Sequence, residues 1–185
     1  YQAQPTVSHT QRVTIVVPEV NAVNIGAAGI TGLSAAPGDS TGFVISVMNI
    51  GNTPGQYTVS CTSENRWQVM LGNSNSSTLE FEPLNIKESL PMYIRIFVPP
   101  VSNGVPVSGS SDTVTCWVNS QNDASMNFTQ SVDVEVLPQE SFVSDLYDDL
   151  GAIGPSAINR NVLADTGEQV SLNLTVENTG NVDLS

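Results

Sequence analysis

Reactive side chains are few in this 185-residue chain, and they are scattered along it. The chain has one histidine, His9, and two cysteines, Cys61 and Cys116. Nucleophilic catalysis needs a base beside the nucleophile, and a zinc ion normally takes four ligands. A lone histidine in a polar N-terminal stretch meets neither requirement, and no glycine-rich phosphate loop opens a helix. We therefore predict no catalytic residues and expect that the chain is not an enzyme.

The two cysteines are the strongest candidates for covalent chemistry. Both fall at inward positions of predicted strands, and an even pair of cysteines in an exported chain typically forms a disulfide. A bond between Cys61 and Cys116 would stabilise the fold by about 4 kcal/mol in the chain-entropy model. The alternative is a pair of buried thiols that pack as small hydrophobic side chains.

The densest acidic cluster is a candidate cation site. Asp145, Asp148 and Asp149 lie close together in sequence, and Ca²⁺ takes about six to eight oxygen ligands from carboxylates and carbonyls. Their spacing differs from that of an EF-hand loop, and the alternative is a solvated acidic linker. We expect no obligatory cofactor, with Ca²⁺ as the one cation that this cluster suggests.

Charge and composition exclude several classes of partner. Five Lys and Arg against 18 Asp and Glu leave a net charge of −13, which opposes binding to nucleic acid and to anionic membranes because both are negatively charged. Charged residues make up 12 % of the chain, against a usual share of about 25 %. No run of about 18 apolar residues is present, so we expect no membrane insertion.

Three N-glycosylation sequons begin at Asn75, Asn127 and Asn173. The sequence opens on Tyr1, which predicts either that a signal peptide has been removed or that the chain is a cut fragment. Together with the expected disulfide, these features favour an extracellular or cell-surface glycoprotein.

Strands are the elements that would position these residues. Apolar and polar residues alternate in nearly every apolar stretch, as half-buried strands require. The clearest runs are 43–48, 57–61, 92–98, 114–118 and 132–136. Segment 141–150 fits either a helical turn or a strand with an acidic end. The pattern predicts an all-β fold, an antiparallel immunoglobulin-like β-sandwich followed by the start of a second similar module.

An internal repeat supports the second module. Residues 38–52 align with residues 167–181 at a constant offset of 129. The identical positions include Asn49 and Asn178, Gly51 and Gly180, and Asn52 and Asn181. We therefore expect an N-terminal tail over 1–12, a sandwich over 13–138, and a linker with an incomplete second module over 139–185.

Two interpretations account for an incomplete second module. The chain is a piece of a longer tandem protein, or a neighbouring copy supplies the missing strands by β-augmentation. Segment 11–18 allows a similar choice, because Val13, Ile15 and Val17 alternate as in a strand. This segment is the first strand of its own module, or an assembly strand donated to the next copy.

The order of these motifs resembles the immunoglobulin- and fibronectin-like modules of prokaryotic secreted proteins. These modules accompany α-galactosidase catalytic domains or occur in tandem on archaeal and bacterial surface proteins, and they include the CARDB group. The shared motifs are Pro37-Gly38-Asp39, Asn49-Ile50-Gly51-Asn52, Tyr57-Thr58-Val59-Ser60, Trp67, Leu84 through Ser89, Ile94-Arg95-Ile96 and Val98-Pro99. The resemblance implies a sandwich fold, a core position for Trp67, and a role as spacer, adhesive unit or sugar-binding accessory.

We expect an extracellular structural protein, a subunit of a surface layer, sheath, adhesin or filament. Its partners would be other copies of itself or adjacent modules of the same protein. The alternative is an accessory carbohydrate-binding module of a secreted glycoside hydrolase, with glycans as partners. Trp117 has the opposite parity to Cys116, so it is a candidate exposed aromatic for stacking on a sugar.

Overall fold

The computed structural model describes residues 10–27, 30, 32–103, 105–125, 127–148, 151–152, 166–167, 169, 171 and 173–183, with the backbone alone for 145–148 and 151–152. These residues form twelve strands and no helix. Within this described part, no helix is long and apolar enough to cross a membrane. The all-β fold predicted from the alternating pattern is confirmed.

Two sheets pack face to face between residues 23 and 136 as an immunoglobulin-like sandwich. The first sheet has the strand order β1 (Val23–Ala27), β3 (Ser40–Asn49), β7 (Ser89–Phe97) and β5 (Gln68–Leu71). The second has the order β2 (Leu33–Ala35), β9 (Asn127–Val136), β8 (Ser111–Ser120), β4 (Tyr57–Ser63) and β6 (Thr78–Glu80). Neighbouring strands are antiparallel except β2 and β9, which pair in parallel.

The core between the sheets is built from every second residue of the long strands. In β3 the buried apolar residues are Phe43, Ile45 and Val47, and each is at most 4 % exposed. β4, β7, β8 and β9 contribute inward residues in the same alternation. Each inward β-branched or aromatic side chain removes apolar surface from water, at about 25 cal/mol per Å². The parity predicted from the sequence is therefore the parity of the fold.

The first strand of the sandwich begins at Val23, and the prediction that it lies in segment 11–18 is wrong. The described residues 10–22 carry no strand. Val13, Ile15 and Val17 are 76 %, 82 % and 72 % exposed. The reason is that β1 already occupies the place beside β3, from Val23 opposite Asn49 to Ala27 opposite Ile45.

A third sheet follows the sandwich, with the order β11 (Gly151–Ala152), β10 (Phe142–Asp148) and β12 (Asn173–Asn178). The ambiguous segment 141–150 is therefore a strand over 142–148. β10 pairs with β12 from Phe142 opposite Asn178, just as β1 pairs with β3 from Val23 opposite Asn49. The register of the first strand pair recurs in this third sheet.

Because the Tyr57 side chain is buried, we predict that the protein loses stability at alkaline pH. This side chain is 0 % exposed, its hydroxyl donates to Ala22 O at 3.3 Å, and burial raises the pKa of the phenol above its usual 10.0. As pH rises, Tyr57 ionises in the unfolded chain before it ionises in the folded one. The stability that the buried neutral phenol contributes is therefore fully present below about pH 10 and is lost as pH rises through the folded-state pKa. We expect urea unfolding to show a falling stability above about pH 10, and Tyr57→Phe to reduce that fall. Tyr93→Phe is the matched control, because Tyr93 is 42 % exposed; an equal effect of both variants would contradict the prediction.

Candidate functional site

An asparagine fixes the backbone where the chain enters the sandwich. The Asn52 side chain accepts a hydrogen bond from Val20 N–H at 2.7 Å through Oδ1 and donates to Pro18 O at 2.9 Å through Nδ2. The Asn52 main-chain N–H also donates to Val20 O at 3.0 Å. We call this set of three bonds the first entry clip.

The same arrangement recurs where the chain enters the third sheet. Asn181 accepts from Gln139 N–H at 2.6 Å through Oδ1 and donates to Leu137 O at 3.1 Å through Nδ2. Its main-chain N–H donates to Gln139 O at 3.0 Å. This second entry clip lies 129 residues after the first, counted from Asn52 to Asn181. The sequence repeat is thus also a repeat of hydrogen bonds, atom for atom.

A glycine precedes each clip asparagine for a steric reason. A Cβ added to Gly51 would overlap Val20 O, and one added to Gly180 would overlap Gln139 O. The obstacle in both cases is a main-chain carbonyl, which cannot move without breaking the clip. The shared Gly-Asn pair is therefore what this close approach of two backbone segments requires.

The two clips differ in what covers them. Asn181 is 6 % exposed, and the Ser108 N–H, from the loop between β7 and β8, donates to Asn181 O at 3.3 Å. Asn52 is exposed, and no main-chain N–H of the described residues donates to Asn52 O. The second clip is thus a junction at which the sandwich packs on the unit that follows it.

A groove of about 980 Å³ opens at the end of the sandwich, along the loop between β7 and β8. Its wall includes Arg66, Trp67, Phe97, Pro99 and Pro106. No His, Cys, Asp or Glu is among the described residues that line it. The groove therefore offers mainly apolar surface, with one cation at Arg66 and the polar side chains of Asn65, Gln68, Ser110 and Ser111.

The predicted disulfide between Cys61 and Cys116 is present, with Cα atoms 4.0 Å apart. The two cysteines face each other on the neighbouring strands β4 and β8, and both are at most 1 % exposed. The bond therefore lies within one sheet. This differs from the immunoglobulin arrangement of antibody domains, in which the disulfide joins the two sheets.

The predicted glycan acceptors are accessible. Asn75, Asn127 and Asn173 are all exposed, which a bulky glycan requires. Asn75 lies in the loop between β5 and β6, whereas Asn127 and Asn173 begin β9 and β12. Accessibility is necessary for glycosylation and is not sufficient, so the modification stays a prediction.

The predicted calcium cluster falls largely outside the described residues. Asp145 and Asp148 lie on the backbone of β10, their side chains are not described, and Asp149 is outside the described range. Elsewhere in the described residues, no three metal-ligating side chains come together. The calcium site therefore stays a prediction.

The two tryptophans occupy different surroundings. Trp67 is half-buried, packs against the core and lines the groove, in keeping with the packing role that the resemblance implied. Trp117 is half-buried on β8, opposite Thr129, and is not among the groove residues.

Sequence reasoning missed one buried carboxylate. Asp112 is 1 % exposed; its Oδ1 accepts from Asn65 N–H at 2.8 Å, and its Oδ2 has no partner among the described residues. The signal was available, because Asp112 shares the inward parity of Val114 and Cys116. An ionisable residue is costly to bury, so its occurrence at a core parity marks Asp112 as a candidate site residue in the sequence alone.

No family model matches the sequence, and the search of the curated proteins finds no match. Among solved structures, a family 123 glycoside hydrolase from Clostridium perfringens is similar at 13 % identity and TM-score 0.42, over 62 % of this chain and 27 % of that one. Domains 4 and 5 of the S-layer protein SbsC are similar at 21 % identity and TM-score 0.37, over 68 % of this chain and 57 % of that one. The CARDB domain of a Pyrococcus furiosus protein, in complex with di-metal ions, is similar at 12 % identity and TM-score 0.40, over 70 % of this chain and 100 % of that one.

This chain therefore spans about a quarter of the hydrolase and just over half of the S-layer fragment. Likeness of this degree between β-sandwiches does not imply a shared function, because unrelated functions use the same fold.

Proposed function

We propose that the chain is a structural unit of an extracellular assembly of tandem β-sandwich modules, such as a surface layer, sheath, adhesin or filament. It acts without catalysis, through contacts with adjacent modules and other copies of itself. The observation that carries the proposal is the entry clip, which occurs at Asn52 and again at Asn181 with the same hydrogen bonds.

The chemistry of the clip suits a mechanical role. A free linker would let successive units rotate, whereas side-chain and main-chain bonds from Asn181 pin the segment between β9 and β10 at two points. The Ser108 contact adds a third point on the body of the sandwich. Each bond contributes about 1 kcal/mol, so together they favour one orientation of the next unit. A defined orientation at each junction is what a stiff array of modules needs.

The buried disulfide, the exposed sequons and the low share of charged residues support the extracellular part of the proposal. Disulfides persist in oxidising compartments and are rare in the cytosol. We include in this proposal that the chain is related to the tandem surface modules of the CARDB kind. That relationship predicts the same tandem arrangement of sandwiches and the same extracellular location.

Surface labelling of intact cells tests the location. Lys87 is the one lysine of the chain and is exposed, so an amine-reactive, membrane-impermeant reagent should modify it. We expect mass spectrometry to find the labelled Lys87 peptide without cell lysis. Lys87→Arg keeps the charge and removes the reactive amine, so the peptide should then be unlabelled. Labelling of Lys87 after lysis alone would contradict an extracellular location.

The groove favours one alternative, an accessory carbohydrate-binding module. Trp67 lies next to Arg66 in the groove wall, and aromatic faces are surfaces on which sugars stack. Under the structural proposal, we expect no retention of the protein on insoluble polysaccharides. Retention that Trp67→Ala abolishes and Trp117→Ala preserves would favour the carbohydrate-binding function instead.

A further inference from the structure

Segment 11–17 carries apolar side chains that the sandwich does not use. Val13, Ile15, Val16 and Val17 are between 72 % and 83 % exposed. Such a run of β-branched residues has a strong preference for a paired strand. A contiguous exposed apolar stretch of this kind typically marks a surface that another element covers.

The two clips identify the equivalent of this segment elsewhere in the chain. Pro18 O and Leu137 O accept the same Nδ2 bond from the two clip asparagines, so the two residues occupy the same place. Val23 and Phe142 likewise begin strand pairs of the same register. Both comparisons give an offset of 119 residues between segment 18–23, which enters the sandwich, and segment 137–142, which enters the third sheet.

The same offset places segment 11–17 on the last strand of the sandwich. Val13, Ile15 and Val17 fall on the inward residues of β9, which are Val132, Val134 and Val136. These three valines are 8 %, 0 % and 0 % exposed. The alternating apolar positions of the two segments therefore coincide one by one.

We infer that segment 11–17 is the last strand of another sandwich of the same kind, which precedes this one in the polypeptide. Val13, Ile15 and Val17 lie in the core of that preceding module. The positions between them face its outer surface, as Asp133 and Glu135 do on β9. Val16 departs from this pattern, because it places an apolar side chain where β9 carries Glu135.

The difference in burial between the clips supports the same partner independently. Asn181 is covered because the sandwich that precedes it donates the Ser108 N–H to its carbonyl. Asn52 makes the same clip and is exposed. The preceding module would cover Asn52 with its own loop between the equivalents of β7 and β8. One partner thus accounts both for the exposed valines and for the open carbonyl of Asn52.

The inference deepens the tandem arrangement proposed above and rests on it. It does not depend on the extracellular location, which the labelling of Lys87 tests separately. It also differs from strand donation between copies, because the segment completes a module of its own polypeptide.

Two single substitutions of opposite parity test the inference in the native polypeptide, with whatever residues precede Tyr1. Ile15→Asp places a carboxylate in the core of the preceding module, and Val16→Asp places one on its surface. We expect calorimetry to show that Ile15→Asp lowers the melting temperature of one transition by at least about 10 °C, while Val16→Asp shifts it by less than about 2 °C. Amides 12–17 should be protected from hydrogen exchange in the unaltered polypeptide and should lose that protection in Ile15→Asp.

The 185-residue chain is the matched background. Ile15 and Val16 are 82 % and 83 % exposed in it, so neither substitution should change its melting temperature. Equal effects of the two substitutions in the native polypeptide, or no effect of either, would overturn the inference. An effect of Ile15→Asp that disappears on dilution would also overturn it, because a strand passed between copies depends on concentration.

Discussion

Removing the disulfide is expected to lower the free energy of unfolding of the sandwich by about 4 kcal/mol. Cys61 and Cys116 are 55 residues apart, and their bond closes that loop in the unfolded chain as well as in the native one. Loss of the bond therefore frees the unfolded chain more than it affects the native strands. For a unit of this size, the melting temperature should fall by roughly 10–20 °C.

Urea unfolding with and without reductant measures this effect. We expect Cys61→Ala/Cys116→Ala to match or fall below the reduced wild type and to be insensitive to reductant. The control pair is Thr62 and Thr115, which face each other one step along the same strands. Thr62→Ala/Thr115→Ala removes an outward pair and should cost less than about 1 kcal/mol. If reductant left the urea midpoint of the wild-type protein unchanged, the disulfide would not constrain the unfolded chain.

The position of the disulfide shows what the sequence could predict and what it could not. The inward parity of Cys61 and Cys116 was readable from the alternation on each strand. That the bond lies within one sheet depends on β4 pairing with β8, and this pairing joins strands far apart in the chain. Local patterns carry parity, whereas non-local register depends on how the whole sandwich packs.

The predicted position of the first strand was wrong for the same physical reason. Segment 11–18 has every local feature of a strand, and so does Val23–Ala27, which takes the edge beside β3. The offset of 129 between residues 38–52 and 167–181 was visible in the sequence. The offset of 119 at the entry segments was not, because it becomes apparent through the hydrogen bonds of Asn52 and Asn181.

The groove and Asp112 were missed for different reasons. The groove wall joins the loop around Trp67 to the loop between β7 and β8, and loop geometry has no periodic signal in the sequence. Asp112 has such a signal in its parity, but its residue type predicts the opposite, because carboxylates usually face water.

Asn49→Ala is expected to destabilise the sandwich by about 3 kcal/mol, because it leaves buried main-chain groups without partners. Asn49 is 0 % exposed. Its Nδ2 donates to Leu84 O at 3.0 Å and to Thr53 O at 2.9 Å, and its Oδ1 accepts from Gly51 N–H at 2.9 Å. Alanine replaces none of these bonds, and the space it leaves is enclosed.

Asn178 provides the matched control, because it makes the equivalents of two of these three bonds in an exposed position. Its Nδ2 donates to Val182 O at 2.7 Å and its Oδ1 accepts from Gly180 N–H at 2.9 Å, but the residue is exposed. Water can replace these bonds, so Asn178→Ala should cost less than about 1 kcal/mol in urea unfolding of this chain. Equal losses for the two variants would show that the bonds matter and burial does not. In a polypeptide that completes a second sandwich around β10 and β12, the cost at Asn178 should rise to that at Asn49, since the same bonds would then be enclosed.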